Sequence, residues 1–342
     1  MNPSFLDFPG EIERVDGYIH AAVQSDDGRT DSGGRTDSGG RTEFGLGELG
    51  SHGLLDEVLD YVHRGRGKKL RARTILLVSQ AMGVLDDRAL RAAACVEMIH
   101  CASLLHDDVI DKAPLRRGRP SVNARYGDDV AILVADLLFS QAYDLALSTV
   151  EPDILRLVCR ASRLMCESEM YQIEKRQDIL TEGEYLRIIE AKTASLFAVC
   201  AEVGGVLSKV SPEHRNRLAR FGSNIGMAYQ ITDDALDYSA ENSRWGKQIG
   251  NDLERGKLTL PLVYALEQAC PADRRVLIDQ LRNGRDIKKV LPVIEKYRGL
   301  EYAHGRARQF AREAHELTPL LGLSSSVDRF HDLCRFVVDR TF

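Results

Sequence analysis

No two of the seven cysteines, Cys95, Cys101, Cys159, Cys166, Cys200, Cys270 and Cys334, stand at CxxC spacing, and their number is odd. A disulfide framework and a thiolate zinc site are therefore excluded, leaving reduced thiols expected mostly in the interior. The sequence also lacks any stretch approaching about 20 uninterrupted apolar residues, so no membrane span is expected. Its first dozen residues include acidic side chains and no apolar run, which is not the pattern of a secretory leader; a cytoplasmic location is the expectation. Neither a P-loop signature nor HExxH occurs, which removes support for P-loop nucleotide chemistry and zinc hydrolysis. Basic excess is missing too. With a net charge of -5 and an isoelectric point near 6.0, nucleic acid is not an expected partner.

What is present is an ordinary globular composition, 44% hydrophobic and 28% charged, over 342 residues, enough to bury a large core and to enclose a cavity. Residues 28–45 read GRTDSG, GRTDSG, GRTEFG, a glycine-rich hexapeptide repeat without hydrophobic periodicity. The organisation expected is an N-terminal helical segment over 1–24, a flexible insertion over 25–50 and a helical domain over 51–342 that forms one domain with the first segment. From Leu54 onward apolar residues recur at spacings of three and four, with no sustained period-two alternation, so the fold class is all-α, a single large helical bundle with a central cavity. Between Asp87 and Asp111 the pattern predicts a helix that is apolar almost all round.

That helix ends in LLHDDVID, which places Asp107, Asp108 and Asp111 together. At 3.6 residues per turn Asp107 and Asp111 are stacked neighbours, with Asp108 on the adjoining stripe. The same pattern recurs as Asp233, Asp234 and Asp237 in YQITDDALD, after another largely apolar helical run. One acidic run alone reads as a solvated helix end. Two such clusters facing each other across a bundle would repel unless cations lie between them, and hard oxygen ligands suit Mg²⁺ rather than zinc. Basic residues accompany them: Lys68 and Arg71 in GKKLR, Arg116 and Arg117 in PLRRGRP, Lys192 in EAKTA, and Lys247 and Lys257 in WGKQIGNDLERGK. Carboxylates, magnesium and fixed cations together describe a polyphosphate site.

On LLHDDVIDKAPLRRGRPSVN and YQITDDALDYSAENSRWGKQIGNDLERGKLTLPLVYAL the chain resembles the trans-isoprenyl diphosphate synthases, in particular the medium- and long-chain, octaprenyl-type members, from about Leu54 to the C-terminus. The resemblance implies the isoprenoid synthase fold, a homodimer, Mg²⁺ as cofactor, and isopentenyl diphosphate and an allylic diphosphate as substrates. It implies that the six aspartates hold Mg²⁺ on the allylic diphosphate, with Gln172 supporting the water shell. Arg116, Lys192, Lys247 and Lys257 would grip that diphosphate, and Lys68, Arg71, His100 and Arg117 the isopentenyl one. Thr193 and Gln230 would lie beside the developing carbocation, completing with Asp107, Asp108, Asp111, Lys192 and Asp233 the expected catalytic set. There are departures. The family's GGKRLRP reads RGKKLRA here, so Arg66, Lys69 and Ala72 stand where glycine, arginine and proline are usual.

The implied chemistry is head-to-tail chain elongation: the allylic diphosphate ionises and the double bond of isopentenyl diphosphate attacks the cation. Product length should follow from the residues one and two turns before Asp107. In the family bulky aromatics there close the pocket early, and Ala102 and Ser103 are small, which implies a medium or long product. Phe139 or Tyr143 is read as a deeper floor. The alternatives are a class I terpene cyclase, which gives no reason for a second DDxxD, and a partner subunit of a heteromeric synthase.

Overall fold

A computed structural model describes residues 6–23, 53–65, 67–176, 178–238, 250–321 and 326–339. The 28–45 repeat, Arg66 and Lys247 fall outside them. The described helices are α1 (Pro9–Val23), α2 (Gly53–Arg64), α3 (Leu70–Ala81), α4 (Asp87–Ile110), α5 (Val122–Tyr126), α6 (Asp128–Leu147), α7 (Pro152–Glu174), α8 (Glu182–Ile189), α9 (Ser195–Leu207), α10 (Pro212–Leu236), α11 (Asn251–Glu254), α12 (Leu260–Gln268), α13 (Pro271–Asp279), α14 (Ile287–Lys296), α15 (Gly299–Leu317) and α16 (Val327–Asp339). Strand structure among the described residues is confined to a hairpin of β1 (Leu115–Arg116) and β2 (Arg119–Pro120). The all-α expectation holds.

The helices start where polar side chains or prolines meet unpaired amides. Asp86 accepts from the N–H groups of Arg88 and Ala89 and opens α4; Ser211 caps α10 with Pro212 in its first turn. Thr181 and Glu184 cap α8 reciprocally. At 24 residues α4 is about 36 Å long. It packs against α1, α3, α6 and α9, burying Ala92, Ala93, Ala94, Val96 and Ile99. A helix enclosed on all sides explains why its sequence is apolar all round, and why three aspartates at its end stand out.

Two glycines set how closely α9 and α10 approach. A Cβ on Gly222 would stand 2.3 Å from the Phe197 carbonyl oxygen, and one on Gly226 2.6 Å from the Ala194 Cα. Only glycine fits such contacts. Between α8 and α9 the chain makes a π-turn, Glu190–Ala194, closed by the Ser195 N–H on the Glu190 carbonyl. Such wide turns are concentrated at functional sites; this one carries Lys192 and Thr193.

By length and composition α6 is apolar enough to cross a membrane, a property that the uninterrupted-run criterion misses because Asp136 and Asp144 break its run. Here its inner face, Ala131, Val134, Ala135, Leu138 and Ala142, is buried, while Ile132, Leu133 and Leu147 are exposed. The cysteines divide differently from expectation: Cys95, Cys200 and Cys334 are buried, but Cys159, Cys166 and Cys270 are exposed, the first two on the outer faces of α7.

Candidate active site

Each carboxylate of the first cluster meets a cation from a different element. The β1–β2 hairpin turns through Arg117 and Gly118, both at positive φ (51° and 75°), and folds Arg116 back over α4. There Arg116 donates twice to Asp108, Nε to Oδ2 at 2.6 Å and Nη2 to Oδ1 at 2.8 Å. The bidentate geometry is the strong form of this contact. Lys192, from the π-turn, lies 3.2 Å from Asp107 and also pairs with Glu169 of α7. Lys257, beyond α11, donates to Asp111 at 2.5 Å, with Arg255 at 3.6 Å from the same carboxylate. Burial disfavours the charged forms of Arg116 and Lys192, yet the surrounding carboxylates outweigh it and leave both above their ordinary pKa.

The second cluster is arranged differently. Asp234 accepts from the Tyr185 hydroxyl at 2.7 Å and from Gln230 Nε2 at 2.6 Å, and Gln230 Oε1 accepts from the Thr193 hydroxyl at 2.8 Å. Asp237 accepts from the Asp252 N–H at 3.0 Å and from Asn251 Nδ2 at 3.4 Å. These donors are neutral. Burial, opposed by the Tyr185 and Gln230 bonds but reinforced by Asp233 and Asp237, raises the Asp234 carboxyl to about 7. Asp237 is raised by burial as well, and Asp252 well above its ordinary value by burial and then by Asp234 and Asp237. Asp233 is exposed at the helix end.

Two bridges join the clusters. Lys192 of the Asp107 pair is followed by Thr193, whose bond to Gln230 leads to Asp234; Lys257, paired with Asp111, donates its backbone N–H to the Asp252 carbonyl at 2.8 Å. The acids therefore face a common region.

Among the described residues no three acids, histidines or cysteines close on one point as a ready-made ion cage. The residues nonetheless fit a hydrated hard cation. Burial and then mutual repulsion raise the proton affinity of Asp234, Asp237 and Asp252, a deficit of positive charge. Nearby, Gln172, whose buried Oε1 has no hydrogen-bond partner, lines a recess with Glu169, Arg255 and Lys257. Mg²⁺ characteristically uses one or two carboxylates, retains water and takes phosphate oxygens for the rest.

Beyond Asp108 lies a cavity of about 810 Å³, which Lys68, Arg71, His100, Arg116 and Arg117 line together. All four residues expected on isopentenyl diphosphate thus meet in one space. Arg71 stacks over the Phe197 ring at 4.8 Å, and its buried Nε has no hydrogen-bond partner. Arg117 donates to the Gly65 carbonyl at 2.6 Å. Burial, and after it Arg71, Arg117 and Arg116, hold the His100 imidazole well below its ordinary pKa, hence neutral. Ala102, Ser103, Phe139 and Tyr143 lie elsewhere: α4 presents Cys101, Leu104 and Leu105 to this cavity and α6 presents Leu138. Ala102 is fully buried, the Ser103 hydroxyl donates to the His100 carbonyl at 2.8 Å, and Phe139 stands between His106 (5.8 Å) and Tyr143 (6.3 Å, stacked).

Sequence reasoning missed Glu169, Tyr185, Asp252 and Arg255. Glu169 stands three residues before Gln172, which was singled out, and Asp252 and Arg255 lie inside WGKQIGNDLERGK, so their neighbourhoods were marked although the residues were not. Tyr185 has no such signal.

The chain has relatives among known proteins. The polyprenyl synthetase family model matches residues 52–297. The chain is similar to the octaprenyl diphosphate synthase of Haemophilus influenzae, 32% identical over 293 residues, covering 84% of this chain and 89% of that protein. It is similar to the all-trans-nonaprenyl-diphosphate synthase (geranyl-diphosphate specific) of Rhodobacter capsulatus, 34% identical over 291 residues, covering 84% and 89%. Among solved structures, a polyprenyl synthase from Caulobacter crescentus complexed with calcium and isoprenyl diphosphate superposes with a TM-score of 0.84 at 28% identity, covering 97% of this chain and 95% of that one.

Proposed function

This chain belongs to the polyprenyl synthetase family, and from that premise we propose that it adds isopentenyl diphosphate head to tail to an allylic diphosphate, making a medium- to long-chain trans-polyprenyl diphosphate. The observation that carries the reading is the pairing of Asp107, Asp108 and Asp111 with Lys192, Arg116 and Lys257, cations delivered by three separate elements to one acidic helix end. Such a surface, with carboxylates and fixed cations side by side, would hold a diphosphate together with a divalent ion.

In this reading the six aspartates, aided by Gln172, hold Mg²⁺, which when bound supplies Lewis-acid stabilisation of the departing diphosphate. Arg116, Lys192, Lys257 and Lys247 orient that group and stabilise the negative charge that develops as the allylic C–O bond breaks. Lys68, Arg71, Arg117 and neutral His100 hold isopentenyl diphosphate in the adjoining cavity, so that its double bond attacks the allylic cation. Thr193 and Gln230 present oxygen dipoles beside that cation. No protein nucleophile is needed, and the released diphosphate takes the proton lost from the condensed product. The exposed Ile132, Leu133 and Leu147 of α6 support a homodimer through that face.

Incubation with Mg²⁺, isopentenyl diphosphate and a series of allylic primers, read by mass spectrometry, should give a ladder of products at five-carbon steps. A cyclised hydrocarbon made without isopentenyl diphosphate would overturn the reading. For chain length, Ala102 and Ser103 with Phe139 and Tyr143 are proposed to bound the product on the flank of α4 opposite the cationic cavity. Ala102→Phe and Ser103→Phe should then shorten the dephosphorylated products seen by chromatography, and an unchanged distribution would sink that assignment.

A further inference from the structure

The first turn of α3 is held from outside. Its N-cap residue, Lys69, is left-handed (φ 49°, ψ 45°) and gives no side-chain cap. A helix leaves its first four N–H groups without intrahelical partners. One of these, on Ala72, donates to Glu97 Oε1 of α4 at 2.9 Å. The donor exists because alanine stands at a position where the motif it resembles has proline, which has no N–H.

Place gives this contact its meaning. Ala72 follows Arg71 directly, and Glu97 stands one turn before His100, so the bond ties the helix carrying Arg71 to the helix carrying His100. Lys68, Arg71, Glu97 and His100 line the same cavity. Burial lowers the pKa of Lys69 and Arg73, and the nearby Glu97 charge works against that shift in both. The rest of this loop is secured elsewhere, by the Lys69–Asp16 ion pair to α1 and by Arg73, which donates to the Lys68 carbonyl at 3.0 Å and to the Leu6 carbonyl. A carboxylate beside a diphosphate subsite opposes binding by charge. Its value lies in what it holds.

We propose that Glu97 is a positioning residue for isopentenyl diphosphate, its carboxylate fastening the N-terminus of α3 to α4 and so fixing Lys68 and Arg71 relative to His100. This rests on the reading of the cavity as the isopentenyl diphosphate subsite, and the controls below separate the two.

The test is steady-state kinetics of the full chain with Mg²⁺, varying each diphosphate in turn. Glu97→Ala should raise KM for isopentenyl diphosphate about tenfold, the effect of leaving one such donor unpaired, while KM for the allylic substrate stays within about twofold. Glu97→Gln keeps an acceptor oxygen and should restore KM to within about threefold of wild type. Ala72→Pro removes the donor at a first-turn position where proline is tolerated. The double variant Ala72→Pro/Glu97→Ala should be no worse than Ala72→Pro alone, because both remove one contact. Additive effects, Glu97→Gln as damaging as Glu97→Ala, or an unchanged KM in Glu97→Ala would each overturn the proposal. Lys68→Ala and Arg71→Ala are the controls: if neither raises KM for isopentenyl diphosphate the subsite reading itself fails, and if both do while Glu97→Ala does not, only the positioning role fails. Should Glu97→Ala not fold, as judged by circular dichroism, Ala72→Pro should raise KM for isopentenyl diphosphate while Glu97→Gln stays within about threefold of wild type, and an unchanged KM in Ala72→Pro would overturn the proposal.

Discussion

At the end of α4 three carboxylates each meet a cation brought by a different element, whereas at the end of α10 the carboxylates meet a phenol, two amides and a backbone N–H. Both ends carry the same DDxxD spacing. The first meets a protein cation at each carboxylate; in the second, burial first and then the neighbouring carboxylates raise the proton affinity of Asp234, Asp237 and Asp252. The spacing of acidic residues thus fixes their geometry, and the elements folded over them decide whether positive charge must still arrive from solution.

The largest effect that would sharpen this contrast is on turnover. Asp107→Ala should lower incorporation of radiolabelled isopentenyl diphosphate at least about 10²-fold, the scale of removing one electrostatic stabiliser of a transition state, with the fold retained. Turnover near wild type would remove Asp107 from the site. The stability of the metal-free protein comes next. In chelator, Asp107→Asn breaks the pair with Lys192 and should lower the thermal midpoint by a few degrees, since about 1 kcal/mol corresponds to that shift. Asp234→Asn relieves repulsion, and the Tyr185 hydroxyl can rotate to accept from the new amide, so its midpoint should rise by a similar amount. Equal signs for the two substitutions would erase the distinction drawn between the clusters. Added Mg²⁺ should stabilise wild type more than Asp234→Asn. The smallest effect concerns the two cations on Asp111: Lys257→Met should raise KM for the allylic diphosphate about tenfold and Arg255→Met no more than about threefold, following their 2.5 and 3.6 Å separations. A reversal would make Arg255 the principal partner.

Periodicity carried the long helices, because a segment such as Asp87–Ile110 that is buried on every side must be apolar on every side. The aspartates were legible for the converse reason, being charged where such a helix should not be. Which cation serves which carboxylate was not legible from the residues alone. Arg116 reaches Asp108 through a hairpin of positive-φ residues, and Lys192 reaches Asp107 from a π-turn, both local conformations without a hydrophobic period. Tyr185 was hidden because its ring packs in the core while only its hydroxyl reaches Asp234, so it reads as an ordinary buried aromatic. Exposed Cys159 and Cys166 were misjudged since α7 is amphipathic and the thiols fall on its outer side.

The π-turn at Glu190–Ala194 holds one residue more than an α-helical turn would. Deleting a single residue there would let α8 and α9 join as one regular helix in nearly the same register, because the wide turn spends an extra residue on about the same rotation, but the residues within the turn would change direction. Lys192 and Thr193, which the wide turn carries, would leave Asp107 and Gln230 while α9 still faces α10. In this segment the number of residues is therefore under tighter constraint than most of their identities, and a library of single-residue deletions should lose function here where conservative exchanges of Ala191 or Ser195 keep it.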